Sequence, residues 1–180
     1  MKKENISILY DIVKKAVMNF IEKKDEEEFI EKYPEELENK NGLFLLFYDN
    51  EENLISFVYN LNPNRPLYMT IKDMAVTGIS KCIRISRDIE HKNMKFLIIL
   101  VSNFKAVKKI EEIDYKKKGI CVQYLEKNGA LPSQILKVEK NLEGALKKTL
   151  NEAGLSNHDY KDENLLYFTF DCSDLILNEE

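Results

Sequence analysis

The sequence contains few of the side chains on which metal sites and disulfide-stabilised folds depend. Its 180 residues include three cysteines, two histidines and no tryptophan. Because the cysteine count is odd and no pair has Cys-x-x-Cys spacing, a disulfide framework is not expected. A zinc site needs about four ligands at compact spacings. The cysteines and histidines are scattered along the chain, so no metal site is predicted.

Long hydrophobic runs are absent as well. The longest apolar run, residues 96–101, has the length of a strand, whereas a membrane-spanning helix needs about 18 residues. The first residues, Met1-Lys2-Lys3, lead into an amphipathic segment that lacks the apolar core of a signal peptide. We therefore expect a cytoplasmic protein without a membrane partner.

Glycine-rich and nucleophile motifs are also lacking. The six glycines are isolated, so the chain has no phosphate loop and no Gly-x-Gly-x-x-Gly, and no cofactor is predicted. His91 and His158 fall in polar connections, where solvated loop histidines are expected. Cys82, Cys121 and Cys172 have no histidine nearby in sequence, which predicts buried small residues rather than nucleophiles. No catalytic residue is assigned.

The charge is mildly negative and unevenly distributed. The net charge is −4, and residues 22–38 alone hold nine acids against three lysines. A protein whose main task is nucleic-acid binding usually presents a basic face, so that task is unlikely here. The alternative of a weak nucleic-acid binder would rest on residues 105–118, where six lysines accompany three acids.

Apolar periodicity predicts an α+β fold. Apolar residues repeat with helical spacing in three segments and form short strand-like runs in five others. The predicted helices are 5–23, capped by Asn5, a second that follows Pro66 and runs to residue 83, and 142–153, ended by Gly154. The predicted strands are 43–48 and 54–61, which form a hairpin, 96–101, 119–125 and 165–170. Asn128-Gly129 predicts a turn, with a short strand after it that Pro132 ends. Strands grouped between helices favour mostly antiparallel sheets with flanking helices.

Six short motifs, in order along most of the chain, resemble the AMMECR domain family, also called AmmeMemoRadiSam system protein A. They are Gly42-Leu43-Phe44, Asn62-Pro63-Asn64-Arg65-Pro66-Leu67, Lys118-Gly119-Ile120-Cys121-Val122, Gly129-Ala130-Leu131-Pro132, residues 148–155 and Tyr167-Phe168. The resemblance implies a single domain over 1–180, with two interlocked subdomains as the alternative, and a fold of two intertwined β3-α2-β repeats with an N-terminal helix. It also implies Memo-like and radical SAM proteins as partners.

The chain departs from the family at both of its signature motifs. The family's Leu-Arg-Gly-Cys-Ile-Gly is replaced by Leu54-Ile55-Ser56-Phe57-Val58-Tyr59, and its Asp-Pro-Arg-Phe-Pro-Pro region by residues 86–90. Those motifs are the family's candidate functional surface. We interpret this chain as retaining the family's fold while its functional site is degenerate, because Ser56 and Tyr59 fill space where the family has glycines.

Candidate binding residues are therefore assigned near the altered strand and the start of the second helix. They are Ser56, Tyr59, Arg65, Arg87 and Asp88. An arginine beside the free N–H groups of a helix start could bind an anion, although a surface arginine closing the turn is the simpler reading of Arg65. The favoured hypothesis is a non-catalytic interaction or small-molecule-binding protein. The alternative is an enzyme of unknown class with a relocated cleft around Arg65, Arg87, Asp88 and Tyr59.

Overall fold

The periodic segments of the sequence form the helices and strands of a computed structural model that describes residues 1–24, 33–85 and 93–176. The helices are α1 (Lys3–Glu22), α2 (Leu67–Ile85), α3 (Ser133–Leu136) and α4 (Leu142–Glu152). The strands are β1 (Leu43–Tyr48), β2 (Leu54–Asn60), β3 (Lys95–Ala106), β4 (Lys118–Tyr124), β5 (Lys127–Leu131) and β6 (Leu166–Leu175). Within the described ranges, no helix combines the length and hydropathy that a membrane span requires.

The sheet confirms the predicted α+β class. Its hydrogen-bonded strand order is β2-β1-β3-β6-β4-β5, with helices flanking it. The pairs β1–β2, β1–β3, β4–β5 and β4–β6 are all antiparallel. By contacts, the chain divides into unit 1, residues 1–100 and 174–180, and unit 2, residues 101–173.

Unit 1 is built around the β1–β2 hairpin and two long helices. The side chains of β1 alternate between faces, and Leu43, Leu45 and Phe47 join a buried cluster with the apolar stripes of α1 and α2. Gly78 of α2 lies under the ring of Phe47, where a Cβ would collide with ring carbons. The missing side chain therefore lets α2 approach the strand closely.

Unit 2 repeats this arrangement with the β4–β5 hairpin and α4. Val122 pairs with Gly129, and a Cβ on Gly129 would collide with the backbone nitrogen of Ala153, just after α4. The Asn141 side chain caps α4 by accepting from the Gly144 N–H at 2.8 Å. Gly154 follows the helix with φ of +67°, which confirms the predicted helix stop.

Two local predictions are wrong. Asn5 does not cap α1, which begins at Lys3, because Asn5 is buried and its Nδ2 donates to Glu36 Oε2 at 2.6 Å. Asn128 and Gly129 form no turn, since both lie in β5 and pair with β4. The hairpin turns instead at Leu125 and Glu126, and Gly129 is small because Ala153 occupies the space of its side chain.

The last strand is longer than predicted and reaches Leu175. Its polar second half concealed it in the sequence. Asp171 accepts hydrogen bonds from Lys118 of β4 and Asn103 of β3. The local sequence pattern predicts a loop at this charged residue, but partners on the neighbouring strands satisfy its carboxylate within the sheet. Residues 25–32 and 86–92 lie outside the described residues, so the predicted acidic segment is described only from Tyr33 onward.

Candidate functional site

The strand that the resemblance aligns with the family's signature motif is β2, and its side chains alternate between two faces. Ser56 pairs with Phe47 in register and is buried, 7% exposed, on the face that α2 covers. Tyr59 lies three residues later and therefore on the opposite face. There its ring contacts that of Phe44, with centroids 5.2 Å apart, and stacks with Phe57 at 6.4 Å. Ser56 and Tyr59 thus do not face a common cleft.

Arg65 lies immediately before α2 in an exposed ion pair. Its Nη1 is 3.2 Å from Asp73 Oδ2, and both side chains are more than half exposed. The backbone carbonyl of Arg65 accepts a hydrogen bond from Thr70 Oγ1. An exposed pair of this kind contributes little to stability. Arg87 and Asp88 lie outside the described residues, so a binding site at these five residues stays a prediction.

The predicted burial of the thiols is confirmed for Cys82 and Cys121 and is wrong for Cys172. Burial raises the pKa of Cys82 to about 11, although a hydrogen bond from Ser56 acts in the opposite direction. Burial alone raises the pKa of Cys121 to about 11. Cys172 is partly exposed and lies within β6 rather than after it. A thiol whose pKa is this high is a poor nucleophile at neutral pH, because the thiolate is the reactive species.

Unit 2 contains an open cavity of about 640 Å³ beside the turn of the β4–β5 hairpin. Six residues line it, and we call it the hairpin cavity: Tyr124, Leu125, Glu126, Lys127, Leu155 and His158. Tyr124 and Lys127 are a cross-strand pair, so their side chains project from one face of the hairpin. That face is also the one on which α4 packs, since Gly129 there meets Ala153. The end of α4 and the loop after it complete the cavity.

Polar groups converge on the hairpin cavity. Lys127 Nζ donates to the Gly154 carbonyl at 3.3 Å, at the end of α4 where the helix dipole favours a cation. An ammonium group has three donors, so two remain after this bond. Glu126, whose side chain carries a carboxylate, is also a lining residue of the cavity. Within the described part of the chain, neither Glu126 nor Lys127 belongs to an ion pair.

His158 is the residue that sequence reasoning placed wrongly. Instead of being solvated, its ring lies against Tyr124, with centroids 4.7 Å apart, and its Nδ1 is buried without a hydrogen-bond partner in the described structure. The nearby loop carries Asp162, whose pKa is lowered chiefly by hydrogen bonds from Asn164, with His158 contributing less. The contact was invisible in the sequence because Tyr124 belongs to a separate strand. A histidine soon after a helix stop was the only local signal.

Ion pairs engage part of the lysine-rich segment 105–118, two with its own acids and one with Asp171 of β6. Lys109 pairs with Glu112, Lys117 with Asp114, and Lys118 with Asp171. Half of its six lysines are thus engaged, which weakens the electrostatic basis of the nucleic-acid alternative. In the ranges 1–24, 33–85 and 93–176, no three His, Cys, Asp or Glu side chains gather as metal ligands.

Comparison with known proteins identifies the family to which most of the chain matches and a solved structure with a similar fold. Residues 10–175 match the model of the AMMECR1 family. The structure is similar to that of the uncharacterized protein PH0010 from Pyrococcus horikoshii, with a TM-score of 0.82 and 18% sequence identity. That alignment covers 97% of this chain and 92% of the other. No curated protein matches the chain.

Proposed function

Because the chain belongs to the AMMECR1 family but carries an altered signature strand, we propose that it is a non-catalytic member that binds a small molecule in the hairpin cavity. One observation carries the proposal. The hairpin cavity has the volume of a small-molecule site, and apolar, aromatic and charged groups converge on it. The signature position, by contrast, holds buried and stacked side chains.

The chemistry at the signature strand supports binding rather than turnover. Phe57 stands where the family has its cysteine, and the buried Cys82 beside Ser56 has a pKa of about 11. A nucleophilic mechanism needs an activated thiol or hydroxyl with an adjacent base. Ser56 is directed toward α2 and Cys82 instead. The enzyme alternative would have to use Arg65, which is paired with Asp73, together with Tyr59, Arg87 and Asp88.

Binding at the hairpin cavity is tested with the fluorescent probe N-phenyl-1-naphthylamine, which carries no charge and brightens in apolar pockets. The wild-type protein should enhance its fluorescence saturably. Leu125→Asp places a charge at the cavity wall, so we expect at least a fivefold loss of probe affinity. Because Leu125 is 79% exposed with φ of +52°, aspartate fits its backbone without strain.

The matched control is Val138→Asp, which makes the same apolar-to-aspartate change elsewhere in unit 2. Val138 is 71% exposed and does not line the cavity. It should leave probe binding unchanged. Equal binding by the wild type and Leu125→Asp would show that the cavity is not the binding site. Turnover of any substrate that a substitution in the β2 region abolishes would overturn the non-catalytic assignment.

The partner and location assignments are part of the same proposal. By family resemblance we expect a cytoplasmic protein that associates with a Memo-like protein and a radical SAM enzyme. Affinity purification of the tagged protein from its native cells should recover one of the two. If neither is recovered while the protein itself is intact, the partner assignment fails and the cavity proposal is unaffected.

A further inference from the structure

The charges of the hairpin cavity point to a particular ligand class, an inference that rests on the proposed function. The lining residues include one that carries an ammonium group, Lys127, and one that carries a carboxylate, Glu126, adjacent in sequence at the hairpin turn. The remaining lining is Tyr124, Leu125, Leu155 and His158. A ligand complementary to these residues has an apolar body, one negative charge for Lys127 and one positive charge for Glu126.

A simple anion fits the cavity less well. It would gain the two remaining donors of Lys127 but would meet the Glu126 carboxylate at the same wall. Asp162, which interacts electrostatically with His158, adds a second negative charge nearby. Like charges at close range repel each other, and because Glu126 is exposed to solvent the resulting penalty is modest.

A simple cation meets the opposite difficulty. Lys127 is held at the cavity by its hydrogen bond to the Gly154 carbonyl, so its ammonium cannot swing away without losing that contact. A cationic ligand would be repelled by it while being attracted by Glu126. A zwitterion avoids both problems, because its carboxylate can face Lys127 and its ammonium can face Glu126.

The body of the ligand is indicated by the inner wall. The rings of Tyr124 and His158 lie 4.7 Å apart and are inclined by 60°, which gives a fixed aromatic corner. Leu155, 2% exposed, and Leu125, at the turn, supply aliphatic surface. Aromatic rings prefer offset or edge contacts with other rings. We infer that the hairpin cavity binds a small zwitterion with an apolar or aromatic side chain, the chemical class of a free amino acid.

Three probes of one shape separate the charge requirements. L-phenylalanine is the zwitterion, 3-phenylpropionate lacks the ammonium, and phenethylamine lacks the carboxylate. Isothermal titration calorimetry on the full chain should show L-phenylalanine binding at least about threefold more tightly than either of the others, since solvent weakens contacts with the exposed Lys127 and Glu126. Glu126→Gln should reduce binding of L-phenylalanine to that of 3-phenylpropionate, and Lys127→Met to that of phenethylamine. Lys137→Met, at an exposed lysine that does not line the cavity, is the control and should bind normally.

The outcomes distinguish the ligand class from the site. If 3-phenylpropionate binds as tightly as L-phenylalanine and Glu126→Gln has no effect, the ligand is an organic anion and the zwitterion inference is wrong. The inference is also wrong if none of the three probes binds while the fluorescent probe still occupies the cavity, and the proposed function then stands. If the fluorescent probe does not bind either, both fail together.

Discussion

The two hairpins of the sheet, β1–β2 in unit 1 and β4–β5 in unit 2, meet their helices through the same device. Gly78 on α2 leaves room for the Phe47 ring, and Gly129 on β5 leaves room for the Ala153 backbone. The regions differ at their surfaces. At β2, Phe57 and Tyr59 are stacked and Ser56 is buried, whereas the β4–β5 turn borders an open cavity.

The packing of a hairpin on its helix is therefore separable from the function of its edge. The core contacts of both hairpins depend on small residues and apolar alternation, which the chain retains. The signature strand depends on arginine, cysteine and glycines, and the chain has replaced all of them. A fold can therefore persist when its family surface is lost, and another surface can supply a binding site.

The largest effect should come from filling the space at the two glycines. Gly129→Ala forces a Cβ into the backbone of Ala153, which cannot rotate away, so we expect a loss of about 3 kcal/mol in the free energy of unfolding. Gly78→Ala meets only a side chain, the Phe47 ring, and gains about 1 kcal/mol of helix propensity. Its net cost should be about 1 kcal/mol. Urea denaturation measures both.

Gly144→Ala is the control for these substitutions. Gly144 also lies in a helix, and its nearest neighbour is the flexible carboxylate end of Glu139 at 3.2 Å, so the substitution should avoid a clash and raise stability by up to about 1 kcal/mol. If Gly78→Ala proves more costly than Gly129→Ala, the assumed difference between a rigid backbone contact and a movable ring does not hold.

The buried thiols provide the next comparison, with one in each unit. Burial raises the pKa of Cys82 and Cys121 to about 11 in the folded protein, whereas an unfolded thiol has a pKa of about 8.5. Between these values the unfolded chain loses protons that the folded chain keeps, so stability falls as pH rises. The expected slope is about 1.4 kcal/mol per pH unit for each thiol, levelling off above pH 11.

Urea midpoints at pH 8, 9.5 and 10.5 measure this slope. Cys82→Ala and Cys121→Ala should each flatten it by an equal amount. Val122→Ala removes a comparable buried group beside Cys121 without a titrating atom, so it should lower stability and leave the slope unchanged. An unaltered slope in Cys121→Ala would mean that this thiol is more accessible to water than its 6% exposure implies.

The sequence predicted the elements whose apolar pattern lies within the element itself, and it missed features that depend on contacts with other elements. The β1–β2 hairpin and α2 were predicted because their apolar periodicity lies within the elements themselves. The role of Gly129 was missed because its reason, Ala153, belongs to another element. The second half of β6 was missed because Asp171 is satisfied by partners on β3 and β4.

The candidate site followed the same rule. The altered signature strand could be found from the sequence, because the replaced residues are consecutive. The hairpin cavity could not be found from the sequence, because it depends on contacts between separate elements. These are the ring contact between Tyr124 and His158 and the position of Lys127 at the end of α4. Leu125 and Glu126 also lack the glycine or asparagine that usually marks a two-residue hairpin turn.

The turn itself gives the smallest expected effect. Leu125 has φ of +52°, a conformation that costs a residue with a bulky side chain about 1 kcal/mol and that asparagine tolerates. Leu125→Asn should therefore raise the free energy of unfolding by about 0.5–1 kcal/mol. Lys23, after α1 in unit 1, has the same φ, and Lys23→Asn is the matched substitution. If Lys23→Asn raises the free energy of unfolding and Leu125→Asn does not, the leucine side chain stabilises the cavity wall enough to offset its backbone strain. The strained residue would then be part of the site.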